Sequence, residues 1–86
     1  MTRDHVQDTV LKYLARAVDG LDPSAVDTSR SMKELGANSI DIVEVVSSSM
    51  RELRIKVPRS ELNGLKNVDD LVALLHSTAE AKAKAG

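Results

Sequence analysis

The sequence predicts an all-α fold: a small antiparallel helical bundle of three main helices and a short helical turn, with a long loop between the first and second helices. Three observations carry this. Apolar residues recur at steps of three and four in three separate stretches, the period of a helix face. No two alternating runs exist that could pair as strands. Clusters of turn residues separate the helical stretches. With 86 residues the chain has room for one domain. Val, Ile and Leu together make up 23 of them, enough for an aliphatic core and above the level at which chains stay disordered.

The first helix is predicted over residues 4–18. Its stripe is Val6, Val10, Leu11, Leu14, Ala17 and Val18. Thr2 or Asp4 supplies an N-cap and Gly20 stands where a helix ends. Residues 19–38 then form the long connection. Asp22-Pro23-Ser24 is turn chemistry, and Leu21 and Val26 are expected to anchor the loop to the core. Ser31-Met32-Lys33-Glu34 has the form of a capping box, but Gly36 leaves space for one helical turn only. A loop this long in so small a domain is more often functional than idle.

The second helix is predicted over 39–53. The stretch is rich in β-branched residues, which favours a strand. Asp41 and Glu44 decide otherwise, because residues three apart share a helix face and oppose each other on a strand. Val43, Val46, Met50 and Leu53 are expected to form the buried stripe. Leu53, Ile55 and Val57 alternate up to Pro58, but without a partner run they read as an extended loop that buries Ile55 and Val57. Ser60-Glu61-Leu62 allows one turn before Asn63-Gly64. Asn67 caps a last helix over 67–80, with Asp70 at its third position and Val68, Leu71, Val72 and Leu75 as its stripe. The carrier of this fold is residues 1–80; residues 81–86 have no large apolar side chain and are expected to fray.

Composition excludes several functions. Tyr13 is the sole aromatic residue, so no base-stacking platform can form. Twelve basic and thirteen acidic residues leave a net charge of −1, with no surplus for phosphate-backbone binding. No cysteine is present, which removes disulfides, zinc–thiolate sites and thiol nucleophiles. No apolar run approaches a membrane span, and the polar start Met1-Thr2-Arg3-Asp4-His5 does not resemble a secretory signal. A cytoplasmic monomer is expected, with no metal site and no nucleic-acid or membrane partner. His5 and His76 have no ligand-spaced or base-spaced partners and read as surface residues. Asp69-Asp70 serves a helix dipole. No catalytic constellation is found.

Gly36-Ala37-Asn38-Ser39-Ile40-Asp41 differs from these. It sets a serine at a helix N-terminus, where unpaired N–H groups and a partial positive charge favour a phosphate. On this fragment alone, a plain cap at Asn38 or Ser39 is the commoner explanation. The wider run Glu34-Leu35-Gly36-Ala37-Asn38-Ser39-Ile40-Asp41-Ile42-Val43-Glu44 resembles the modification site of acyl carrier proteins. The likeness extends to the long first loop, to Ile55-Lys56-Val57-Pro58 and to Val68-Asp69-Asp70-Leu71. It implies that Ser39 receives a 4′-phosphopantetheine arm from coenzyme A through a phosphopantetheinyl transferase, and that the arm's thiol carries acyl thioesters. The protein would then be a carrier, not an enzyme, served by an acyl-loading enzyme and by synthase partners.

Two departures from the family pattern are present. Asn38 stands where an Asp is usual, and the second helix is less acidic than in fatty-acid carriers, with Ser47-Ser48-Ser49 and Arg51 after Asp41 and Glu44. Asp41 and Glu44 are expected to meet partner cations, and Ile40 to sit at the exposed mouth of the site. Val45 and Met50 could border either the core or the contact face. The string Gly-Ala-Asn-Ser-Ile-Asp-Ile-Val-Glu is similar to free-standing carriers of polyketide β-branching cassettes, which present acetyl groups to an HMG-CoA-synthase-like enzyme. The alternatives are a carrier for fatty-acid, aminoacyl or other polyketide substrates served by ketosynthase-type enzymes, and a helical interaction module with no prosthetic group.

Overall fold

A computed structural model describes residues 1–85. It has four helices: α1 (Arg3–Ala17), α2 (Ser39–Leu53), the single turn α3 (Arg59–Leu62) and α4 (Val68–Ala85). No strand occurs among the described residues, as the unpaired alternation at 53–57 requires. Among the described residues no helix is long and apolar enough to cross a membrane.

Local chemistry explains the helix starts. Thr2 caps α1 by accepting the His5 N–H at 3.1 Å. Asn67 Oδ1 accepts the Asp70 N–H at 2.8 Å, while Asp70 Oδ2 accepts the Lys66 N–H at 3.0 Å. The loop adds what no local motif could. The carbonyls of Arg30 and Thr28 accept the Val68 and Asp69 N–H groups at 3.0 and 2.9 Å. The long connection thus satisfies two orphan donors of α4, and Leu21 and Val26 pack against the core as expected.

The core lies between α1, α2 and α4. Val6, Val10 and Leu14 of α1, Val45 of α2, and Val68, Leu71, Val72 and Leu75 of α4 are essentially inaccessible to solvent. Ile55 and Val57 are buried from the segment after α2. Burying a side chain of this size contributes about 1.5–3 kcal/mol.

Two expectations need correction. The buried stripe of α2 is Val45, Val46, Ser49 and Leu53, with Ile42 and Met50 half-buried at its edge. Val43, expected inside, is 63% exposed. The true stripe is rotated by roughly 60° from the expected one, at about 100° per residue. Ser49 concealed it: a serine at the centre of a buried face breaks the apolar pattern. Val45 therefore belongs to the core. Second, α4 begins at Val68 and continues to Ala85, past the expected end at residue 80. Alternating Ala and Lys are strong helix formers and extend it without further packing. Gly86 lies outside the described residues.

Candidate functional site

The start of α2 is assembled from the loop inward. Ser31 and Glu34 form the reciprocal box that their spacing suggested: Ser31 N–H donates to Glu34 Oε1 at 3.2 Å, and Glu34 N–H to Ser31 Oγ at 3.1 Å. The Ser31 N–H is also the leading reason that the Glu34 carboxyl lies below its ordinary range. The turn closes with the Ala37 N–H donating to Met32 O at 2.9 Å. Met32 and Ala37 are buried. Gly36 sits at φ +108°, and a Cβ there would stand 3.1 Å from Val18 Cγ1. Conformation and space both call for glycine.

Asn38 then caps α2. Its Oδ1 accepts the Asp41 N–H at 2.8 Å, and its own N–H donates to Asp41 Oδ2 at 3.1 Å. This reciprocal pair is a capping box with Asn at the cap and Asp at the third position. The cap is therefore Asn38, and Ser39 is the first helical residue. Ser39 is exposed, and no hydrogen bond of its hydroxyl is found among the described residues. At the first two positions of the helix, the N–H groups of Ser39 and Ile40 have no intrahelical acceptor. They offer donors, with the positive end of the helix dipole, to an anion attached at Ser39 Oγ.

The predicted site residues gather at this end, with one change of role. Ile40 is 76% exposed, and Glu44 is exposed one turn further on. Asp41 is half-buried and engaged with Asn38, so the helix itself uses its carboxylate. Val43 joins Ile40 in an exposed apolar pair that sequence reasoning missed, because it assigned Val43 to the core. The missed signal was the spacing: Val43 is three residues from Ile40, on its face. Met50 lies with Ile42, Val43 and Val46 along a groove of about 730 Å³, closed on its far side by Val57, Leu62 and Leu65. Lys33, Arg59 and Lys66 stand at its rim. The other sequence candidates lie elsewhere. His5 is exposed on α1, and His76 Nε2 lies 3.2 Å from Met1 O and 3.5 Å from Glu80 Oε1. No group of three or more His, Asp or Glu side chains suited to a metal occurs among the described residues.

Comparison with known proteins agrees with this geometry. Residues 9–75 match the family model described as a phosphopantetheine attachment site. The chain belongs to the acyl carrier protein family. The curated relatives include the acyl carrier protein of Bdellovibrio bacteriovorus, 32% identical over 88% of this chain and 92% of that one. Another, from Campylobacter concisus, is 33% identical over 80% and 84%. The polyketide biosynthesis acyl carrier protein AcpK of Bacillus subtilis is 26% identical over 94% of this chain and 99% of its own. No solved structure matches significantly. Acyl carrier proteins are carriers and not catalysts, and phosphopantetheine is the group attached at this domain. Family membership implies interaction with a phosphopantetheinyl transferase and with synthase-type enzymes.

Proposed function

We propose that Ser39 is the attachment residue, and that residues 1–80 carry acyl groups as thioesters on its 4′-phosphopantetheine arm. One observation carries this reading. An exposed serine with an unengaged hydroxyl opens α2, while capping is left to Asn38. The N–H groups beside it suit the phosphodiester that would form at Ser39 Oγ. The groove of Ile42, Val46 and Met50 supports the same reading, since its aliphatic lining can shelter an acyl chain from water. The test is intact mass after incubation with coenzyme A and a broad-specificity phosphopantetheinyl transferase. The wild type should gain one phosphopantetheine and Ser39→Ala none. Equal loading of the Ala variant would sink the assignment, and no loading of the wild type would favour an interaction module without a prosthetic group.

We further infer a place in polyketide biosynthesis, as an acetyl donor to an HMG-CoA-synthase-like β-branching enzyme. The likeness to AcpK supports the polyketide part, and the Gly36–Glu44 string supports the donor part. A partner would be read by Ile40, Val43 and Glu44, with Asp41 acting mainly by fixing the helix start. Apolar contacts then carry discrimination, and Glu44 guides encounter with a partner cation. The acetyl-loaded protein should outperform a fatty-acid-synthesis carrier bearing the same arm as donor to such an enzyme. Ile40→Ala should lower the rate at any salt, and Glu44→Lys chiefly at low salt. Equal rates from both carriers would reject the specialised role and leave a carrier for other substrates.

A further inference from the structure

The far end of α2 is ringed by cations that no carboxylate pairs with among the described residues. Arg51, Arg54, Lys56 and Lys82 ring a depression of about 550 Å³, and no Asp or Glu lines it. The ion pairs found among the described residues involve none of the four. Glu52, adjacent in sequence, accepts instead from Lys12 and Tyr13 of α1. In a chain of net charge −1, this is a local imbalance and not a general basicity.

The floor of the depression follows from how the helix ends. The Arg54 N–H donates to Arg51 O at 3.3 Å and the Ile55 N–H to Met50 O at 3.0 Å. This is the Schellman arrangement, and its customary apolar pair is Met50 with Ile55. Both side chains line the depression. The residue just past such a helix is usually glycine, because it must be left-handed. Here it is Arg54, at φ +56°. Its carbonyl accepts from Lys82, a role any residue could fill. Its exposed guanidinium has no hydrogen-bond partner among the described residues. The helix dipole accounts for a cation at Arg51. It does not account for a long cation in the strained position, or for Lys56 beyond the helix end.

We propose that this end of α2 is a second docking surface, for an acidic segment of a partner protein that seats one aliphatic side chain on Met50 and Ile55. Charge complementarity selects the acidic segment. The recess selects a protein over a membrane: the large apolar side chains most exposed are Met1, Ile40 and Val43, so none projects from this end to enter a lipid surface. Arg51 lies about 18 Å from Ser39 along the helix axis, on the face that carries Ile40, Val43 and Glu44. A partner lying along α2 thus meets a carboxylate near the arm and cations at the far end. That polarity admits one orientation and opposes its reverse.

The inference goes beyond the carrier reading and is tested on the unmodified protein. The probe is the peptide acetyl-Glu-Glu-Leu-Glu-Glu-amide, titrated into isotope-labelled protein and followed by NMR. Shifts should concentrate at residues 50–56 and 82. The Gln-Gln-Leu-Gln-Gln counterpart should bind about tenfold more weakly, and salt should weaken the acidic peptide. Arg54→Gly should weaken it about fivefold while keeping or raising the melting temperature, since glycine suits the backbone. Equal affinity for both peptides, shifts spread evenly over all basic residues, or an undiminished Arg54→Gly affinity would overturn the proposal. So would capture by phosphatidylglycerol–phosphatidylcholine vesicles without peptide binding. Loading at Ser39 is scored separately by mass, so failure of the carrier reading shows in that assay alone.

Discussion

At its first turn α2 is held by its immediate neighbours alone, and at its last turn by its neighbours and by two other helices. Asn38 and Asp41 satisfy one another within four residues. The other end closes through the Arg54 and Ile55 N–H groups and is tied further by Lys82 of α4 reaching Arg54 O and by Lys12 and Tyr13 of α1 reaching Glu52. The difference teaches how a site can be both ordered and available. A self-contained cap fixes the helix start without calling on Ser39, so that hydroxyl stays free. At the tied end, position depends on long-range contacts, and strain such as that at Arg54 persists because its surroundings hold it.

The sharpest way to break the comparison is upstream of the self-contained end. Gly36→Ala should cost about 1–3 kcal/mol, because a side chain is forced into a glycine conformation and against Val18. A denaturant melt would show the midpoint falling at unchanged slope. An unaffected midpoint would mean that the turn relaxes, and that the approach to Asn38 is less fixed than its geometry implies.

A smaller effect separates the two adjacent residues of the start itself. Asn38→Ala removes the acceptor for the Asp41 N–H and should cost about 0.5–2 kcal/mol. Ser39→Ala should stay within about 0.5 kcal/mol, as for other exposed positions without a special role. Thermal melts of the two variants side by side would read this directly. A larger loss for Ser39→Ala than for Asn38→Ala would assign the cap to the serine and undo the division of labour.

The same contrast explains what could be read in advance. Thr2, Ser31–Glu34 and Asn67 cap through residues three apart, and so their roles stand in the sequence. The start of α2 follows from the same local chemistry, whereas the exposure of Ile40 was expected from the family resemblance alone. The face of α2 was harder, since Ser49 occupies a fully buried position and its Oγ has no hydrogen-bond partner among the described residues, while Val43 faces out. An apolar count alone must misplace such a stripe. The end of α2 at Leu53 falls where the sequence places it, but the left-handed Arg54 that closes it has no glycine to announce it. The bonds from Val68 and Asp69 to Arg30 and Thr28 join segments far apart in the chain. They arise only once the loop has been packed, and no local rule anticipates them. Val43's part in the candidate site was lost with the stripe, whereas Ser39 stood out through its motif.

The smallest expected effect concerns pH and belongs to the tied end. The hydrogen bond from Lys12, then that from Tyr13, holds the Glu52 carboxyl below its ordinary range. The sign follows from linkage. A carboxyl lowered on folding contributes stability that is complete above its unfolded pKa, about 4.3, and is lost as pH falls through the lower folded value. Glu52 is well exposed to solvent, so the contribution is modest and screened by salt. Glu52→Gln should therefore melt slightly below the wild type near neutral pH, and the gap should close as the solution is acidified below the ordinary glutamate range. Repeating the melts in high salt should narrow the neutral-pH gap as well. A gap that stays constant through acid would mean that the charge of the carboxylate does not set the difference. The link between α1 and the end of α2 would then rest on packing and not on charge.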